Sequence, residues 1–237
     1  MKTLIKGTVL LLSTTLVLTT AWAQSVDEIV SKHLTALGGK SLISGIKTVV
    51  VESSVDVMGT EAPSTTYIMN GKGYKSEVDF NGVKIIQCVT DSGGWTINPM
   101  AGSTTATALP DEQARAQRSQ LQVGGPLFDY ATNGSKVEMI GKDSANYKLK
   151  LTTRDGFEVT YFIDMKTYLI NKAINKMSAG GQDLETTITF ADYKKTDYGY
   201  VMPFSQSIVL PQVTLAITNK KIEINKEIDP AIFKMPK

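Results

Sequence analysis

Residues 146–174 alternate apolar and polar side chains with a period of two. Leu149 and Leu151 flank a lysine, and the alternation resumes after the Asp155-Gly156 pair. Because successive strand side chains point to opposite faces, this pattern predicts strands with one apolar and one polar face. An Asp-Gly pair between two alternating runs is a strong hairpin signal, so the region is predicted to form an antiparallel meander.

The same period recurs on both sides of this meander. Alternating runs separated by Asn-Gly and Gly-Gly turns occupy residues 47–97, and further runs broken by Gly or Pro occupy residues 183–224. Short strands joined by tight turns are typical of an antiparallel sheet or barrel. The sequence therefore predicts a mainly β (α+β) protein.

Two segments depart from the strand period. Residues 26–37 repeat apolar positions at helical spacing, after a capping-box pattern that begins at Ser25 and before the helix-ending pair Gly38-Gly39. Residues 109–130 are polar and only weakly amphipathic, and they interrupt the β pattern. Two interpretations are open for this segment: a movable lid over the sheet, or a structural helix that plugs the end of the barrel.

The first 23 residues have the organisation of a cleavable secretory leader. Two lysines form a charged start, an apolar run follows, and Ala21-Trp22-Ala23 is an A-x-A cleavage site. The apolar run is short for a membrane span and ends in small residues, and no cysteine for a lipid anchor follows the cleavage site. We expect export to the periplasm and a single mature domain, residues 24–237.

Composition and charge narrow the range of partners. Hydrophobic residues make up 42% of the 237 positions and charged residues 20%, which is enough apolar material for a sizeable core. The formal charge is +2 at pH 7, and the two lysines of the predicted leader account for it. Neither a nucleic acid nor an anionic membrane is therefore an expected partner.

Catalytic and metal-binding motifs are missing from the sequence. The only histidine, His33, falls on or beside the apolar stripe of the first helix, and the only cysteine, Cys88, falls in a strand. Both are predicted to pack in the core. No H-E-x-x-H, C-x-x-C or G-x-S-x-G motif occurs, although an acid pair such as Asp79 and Asp91 stays open. We predict a protein that is not an enzyme and that needs no cofactor or metal.

The strands carry a large apolar face, and what covers that face decides the function. A lid that covers a curved sheet only in part leaves a hydrophobic cavity, and such cavities bind apolar ligands. Ordinary core packing is the alternative for each candidate lining residue. The candidates are Met69, Phe80, Trp95, Ile97, Leu127, Phe128, Tyr161, Ile163, Ile188 and Phe190.

The order of these elements resembles that of the periplasmic lipoprotein carriers, the LolA-like family of outer-membrane lipoprotein-sorting proteins. The best local match is residues 85–106, IIQCVTDSGGWTINPMAGSTTA, where a strand, a turn, an aromatic strand and Asn-Pro lead to the lid. The leader, the first helix with its Gly-Gly end, and a last strand followed by Phe233 and Pro236 extend the resemblance over nearly the whole mature chain. The resemblance implies one curved antiparallel sheet forming an unclosed barrel, with an N-terminal helix and a helical lid at about 109–130.

The resemblance also implies a function. Carriers of this family bind the acyl chains of lipoproteins released from the inner membrane and pass them to an outer-membrane receptor. The expected partners of this chain are an acylated lipoprotein or lipid, an inner-membrane release complex and an outer-membrane acceptor, with the chain itself a monomer. A periplasmic sensor or protein-binding module on the same fold, with no carrier role, is the alternative.

One position departs from the family pattern. The carriers have an arginine that helps to hold the lid closed, in the strand that here contains Lys72 and Lys75. A lysine lacks the planar fork with which an arginine makes two parallel hydrogen bonds. Lys72 and Lys75 are therefore the candidates for a lid latch.

Overall fold

The computed structural model describes residues 20–179 and 182–236. The predicted leader lies outside these ranges except for its last four residues, which open the first helix. Within the described ranges, none of the helices is long and apolar enough to cross a membrane.

Within these ranges the chain forms a large sheet and three short or medium α-helices, α1 Thr20–Ala36, α2 Lys40–Ser44 and α3 Asp111–Ala116. Single turns of 3-10 helix lie at Pro99–Ala101, Arg118–Leu121 and Pro230–Phe233. The strands are β1 Thr48–Val57, β2 Thr60–Met69, β3 Gly73–Phe80, β4 Val83–Thr90, β5 Gly94–Asn98, β6 Ser103–Ala108, β7 Lys136–Lys142, β8 Asn146–Thr152, β9 Glu158–Asp164, β10 Ile170–Ala179, β11 Gln182–Lys195, β12 Val201–Val209 and β13 Thr214–Ile224.

All these strands belong to one antiparallel sheet of 13 strands, in the order β6-β5-β4-β3-β2-β1-β13-β12-β11-β10-β9-β8-β7. The sheet does not close, because β6 and β7 are its two edges. Tight turns join most neighbours; at the β3–β4 turn, Asn81 and Gly82 both have positive φ, as a two-residue hairpin turn requires. The predicted single, unclosed antiparallel sheet is therefore confirmed.

The first helix begins earlier than its sequence pattern predicts. It extends back to Thr20, so Ser25 lies inside the helix and is not its N-cap. The preceding residues include alanines and a glutamine, which favour helix, and so the helix continues past the capping-box pattern. Its predicted end is confirmed, because Gly38 has φ 118° and the Gly39 N–H donates to the Leu34 carbonyl oxygen at 2.8 Å.

The sheet buries apolar residues on both faces. Val49 and Val51 of β1 pack with α1 and α2, and we call their side of the sheet the helix face. Val50 points the other way and packs with residues 228–233, and we call that side the tail face. The predicted meander forms β8 to β10, and Leu149, Leu151 and Ile163, which it places on the helix face, are fully buried there.

Candidate functional site

The segment predicted as a lid lies on the helix face. It is helical at α3 and at Arg118–Leu121, and it continues as turns to residue 130. Its buried apolar residues are Ala114, Leu121, Val123, Leu127 and Phe128, and the last three pack with α1 and with β8 and β9. A polar segment is thus held on the sheet by a few apolar side chains, most of them at its C-terminal end.

Three hydrogen bonds attach the lid to the sheet at the β2–β3 turn and at β4. The Val123 N–H donates to the side-chain oxygen of Asn70 at 3.1 Å, and the Gly71 N–H donates to the Leu121 carbonyl oxygen at 2.8 Å. The side-chain amide of Gln87 in β4 donates to that of Gln117 in the lid. These contacts join the lid to the first half of the sheet.

A second set of polar contacts joins the lid to α1 and α2. The Tyr130 hydroxyl donates to the Asp27 carboxylate, and Lys40 forms a 2.6 Å salt bridge with Asp129. Burial and the neighbouring Asp27 carboxylate raise the pKa of Tyr130 to about 12. A pocket of about 350 Å³ lies between these contacts, with Leu34 and Leu127 among its lining residues.

The helix face under the lid is mainly apolar. Leu149, Tyr161, Ala173 and Ile188 stand in one row across β8 to β11, because directly opposed residues of antiparallel strands share a face. Burial raises the pKa of the Tyr161 hydroxyl above its usual range. Tyr161 is buried, which marks a dry environment on this face.

The buried histidine belongs to the same region. His33 is 2% exposed, and its Nδ1 lies 2.8 Å from the Tyr168 carbonyl oxygen. Burial lowers the pKa of the His33 imidazole below its usual value, because an imidazolium would lose its hydration there. The residue packs in the core and donates from Nδ1 to the carbonyl oxygen, since that oxygen can only accept.

The predicted cavity residues divide between the two faces of the sheet. Those that pack together on the helix face are Leu127, Phe128, Tyr161, Ile163 and Phe190, and the register places Ile188 beside them. Those that pack on the tail face are Met69, Trp95 and Ile97. Phe80 ends β3 and pairs with Val83 at the hairpin turn. The helix-face and tail-face groups therefore do not line one common cavity.

The tail face holds its own apolar cluster. Trp95 and Cys88 are buried beneath Phe233, and burial raises the pKa of the Cys88 thiol to about 11. A wide groove of about 500 Å³ lies alongside, bordered by Met69, Lys72 and other residues. The predicted buried state of Cys88 is confirmed.

The two lysines predicted as latch candidates form none of the lid contacts described above. Lys75 forms a 2.6 Å salt bridge with Glu77 and lies 5.8 Å from the centre of the Trp95 ring, on the tail face. Lys72 is exposed and borders the tail-face groove. The lid contacts come instead from Asn70 and Gly71, a pair whose sequence indicates only a tight turn.

The described part of the chain offers no cluster of side chains that could hold a metal ion. Within residues 20–179 and 182–236, no group of three or more His, Cys, Asp or Glu side chains could hold a metal ion. Asp79 accepts a 2.8 Å hydrogen bond from the Gly82 N–H, so this member of the possible acid pair organises the β3–β4 turn.

Comparison with known proteins defines the fold. The sequence matches no protein-family model, and a search of curated proteins also finds no match. Solved structures do match over most of their length. A LolA superfamily protein from Nitrosomonas europaea has a TM-score of 0.59 at 12% identity, over 90% of this chain and 97% of that chain.

Two further structures agree with this result. A putative outer-membrane lipoprotein-sorting protein domain from Vibrio parahaemolyticus has a TM-score of 0.56 at 12% identity, over 87% of this chain and 94% of that one. A DUF1329 family protein from Desulfovibrio piger has a TM-score of 0.58 at 15% identity, over 88% and 97%. The chain therefore has the unclosed-barrel fold of lipoprotein-sorting proteins, as the sequence resemblance predicted.

Proposed function

We propose that this protein is exported to the periplasm and binds the acyl chains of a lipoprotein or lipid between the helix face and the lid. The observation that carries the proposal is the partial burial of large apolar side chains on this face, although α1 and the lid lie over it. These half-buried residues include Ile68, Met139, Tyr147, Val159, Phe190, Met202 and Ile222.

The chemistry of this face suits an apolar chain. Ligand sites are mostly apolar clefts with a few polar groups, and burial of each CH₂ group contributes about 0.8 kcal/mol. An acyl chain that covers half-buried side chains removes more apolar surface from water without any new polar contact. Binding of this kind needs neither a catalytic group nor a cofactor.

The attachment of the lid suits reversible opening. Its three hydrogen bonds to the β2–β3 turn and to β4 contribute about 1 kcal/mol each after exchange with water. The burial free energy of an acyl chain that enters beneath the lid offsets the loss of these hydrogen bonds. In the carrier role, a monomer takes its cargo from an inner-membrane release complex and delivers it to an outer-membrane acceptor.

Native mass spectrometry of the mature protein, purified from the periplasm, tests the proposal with a matched pair of variants. Ile188 on the helix face and Ile97 on the tail face are both half-buried strand isoleucines. We expect wild type and Ile97→Asp to carry a co-purifying acyl lipid, and Ile188→Asp to lose it while remaining folded by circular dichroism.

An apo mass for wild type that incubation with a triacylated peptide does not change contradicts the proposal. That result favours the alternative, a sensor or protein-binding module on the same fold. Equal loss of lipid in both variants also contradicts it, because the bound lipid then does not depend on the helix face.

A further inference from the structure

All the arginines of this chain border a single cleft. Arg115, Arg118 and Arg154 are the only arginines among 25 basic residues, and the others are lysines. The three line a cleft of about 370 Å³. Arg115 and Arg118 come from the lid, and Arg154 comes from the turn between β8 and β9, so the fold brings together residues that are far apart in sequence.

The positive charge of this cleft is only partly compensated. Among the described residues, Asp155 is the only acidic one that lines it. Within the described ranges, none of the three guanidinium groups forms a salt bridge with a carboxylate. An excess of unpaired guanidinium groups around one concavity favours the binding of an anion.

One of these arginines has a buried donor without a partner. The Nε of Arg118 is inaccessible to solvent and forms no hydrogen bond within the described part of the chain. A buried donor that lacks a partner costs about 1–3 kcal/mol, and more when it is charged.

The walls of the cleft are built by side-chain hydrogen bonds. The Asn133 side-chain amide donates to the Gln122 side-chain oxygen at 2.9 Å, and the Gln122 amide donates to the Phe128 carbonyl oxygen at 3.2 Å. The stem of Arg154 lies along Gly134, where an added Cβ would meet the arginine Cδ at 3.4 Å. The arginines therefore border a structured wall.

We propose that this cleft binds a phosphate group, with Arg115, Arg118 and Arg154 as its ligands. Three guanidinium groups and one carboxylate give the cleft a net charge of about +2, which complements the charge of −1.5 to −2 of a phosphate monoester at about pH 7. The planar guanidinium fork also fits phosphate oxygens better than a lysine ammonium does. The source is either a phospholipid headgroup or free phosphate, since both present non-bridging phosphate oxygens that guanidinium groups bind.

A phosphate in this position contacts both the lid and the sheet. Two of its ligands belong to the lid, and the third follows β8, whereas Asn70 lies between β2 and β3 in the first half of the sheet. The bound anion therefore adds an attachment between the lid and the second half of the sheet. This inference is independent of acyl binding, because none of the cleft residues belongs to the apolar row that contains Ile188.

Isothermal titration calorimetry of the mature protein tests the proposal in two arms, with inorganic phosphate and with phosphatidylglycerol vesicles. Chloride at equal ionic strength and phosphatidylcholine vesicles are the respective controls. We expect phosphate to bind wild type and Arg118→Gln to weaken its affinity at least tenfold, because glutamine lacks the guanidinium charge. Lys142→Gln removes the same charge from an exposed position in β7, and we expect it to change the affinity less than twofold.

The outcomes distinguish the two sources. Binding in both arms that Arg118→Gln weakens identifies a phospholipid headgroup, and binding of phosphate alone identifies the free ion. If Arg118→Gln does not fold, Arg154→Gln carries the same test, because Arg154 is exposed. The proposal is overturned if neither probe binds wild type, or if the arginine variants bind as wild type does. Phosphate affinity that Ile188→Asp leaves unchanged separates this site from the acyl-chain site.

Discussion

The indole Nε1 of Trp95 donates a 2.9 Å hydrogen bond to the backbone carbonyl oxygen of Phe233. Trp95 belongs to β5, and Phe233 ends the 3-10 helix that follows the last strand. The Sγ of Cys88 lies 3.4 Å from the same oxygen, and all three residues are buried. This bond therefore fixes the C-terminal segment on the tail face of the sheet.

Replacement of the indole donor tests the strength of this attachment. We expect Trp95→Phe to lower the free energy of unfolding by about 1–3 kcal/mol, because it leaves a buried carbonyl oxygen with only a weak thiol donor. Urea denaturation measures the change. Tyr67→Phe removes a hydroxyl from the same face, and its expected effect is within about 0.5 kcal/mol. Equal effects of the two variants contradict a special role for the indole.

The burial of Cys88 beneath Phe233 is expected to slow the reaction of its thiol. Burial raises the pKa of the Cys88 thiol to about 11, so the reactive thiolate is about 100-fold scarcer at pH 8 than for a thiol of pKa 9.0. We expect the folded protein to react with a disulfide reagent at least 100-fold more slowly than the urea-unfolded chain. Phe233→Ala is expected to accelerate the reaction of the folded protein, because it uncovers the thiol. Fast labelling of folded wild type contradicts this account.

Local patterns predict the strands of this fold well. The alternation in 146–174 and the Asn-Gly and Asp-Gly turns identify hairpins, because strand period and turn chemistry are both local properties. Which face of the sheet a strand residue occupies is not decided by the local sequence. In β1 the run Val49-Val50-Val51 is apolar on both faces, so the pattern does not tell one face from the other. Trp95 and Ile97 lie under the C-terminal segment, whose docking no nearby residue signals.

The lid contacts and the arginine cleft could not be predicted from the sequence for the same reason: they depend on segments that are far apart along the chain. Asn70-Gly71 forms the predicted tight turn, but its second role depends on a lid that begins 40 residues further on. Arg154 belongs to a hairpin turn, and only the folded chain brings it to the same cleft as Arg118. The sequence gives one usable signal for the cleft, because only three of its 25 basic residues are arginines.

The buried imidazole predicts a dependence of stability on pH. Burial lowers the pKa of His33 in the folded state below 6.5, against a smaller raising effect of the Tyr168 carbonyl oxygen. The unfolded chain therefore binds the proton more readily, and the stability due to neutral His33 is fully present above pH 6.5. We expect this stability to decrease as pH falls below 6.5, by at most about 1.4 kcal/mol per pH unit. Chemical denaturation between pH 7.5 and 5.5 measures the slope.

His33→Gln is the matched variant for this test. A glutamine can donate to the Tyr168 carbonyl oxygen but does not titrate. We expect the variant to lose the part of the slope that one proton contributes, while the carboxylate-dependent loss at lower pH persists. A wild-type slope that the variant retains in full assigns the pH dependence to other groups.

The side chain of Asn70 joins the lid to the body of the protein. Its amide nitrogen donates to the Ile46 carbonyl oxygen at 3.0 Å, while its oxygen accepts from the Val123 N–H at 3.1 Å. Removal of this side chain leaves both backbone groups without their partner. We therefore expect Asn70→Ala to destabilise the attachment of the lid more than the sheet, because the sheet retains its strand pairing.

Hydrogen–deuterium exchange of Asn70→Ala measures this effect segment by segment. Loss of the two bonds costs about 1–3 kcal/mol, so we expect amides in 111–130 to exchange roughly 5- to 150-fold faster and amides in β8 and β9 to keep their wild-type rates. Asn175→Ala in β10 is the matched control, since the Asn175 side chain forms no hydrogen bond within the described ranges. Uniformly faster exchange across the sheet would mean that Asn70 supports the whole fold. Unchanged exchange in 111–130 would mean that the apolar residues Leu127 and Phe128 hold the lid without it.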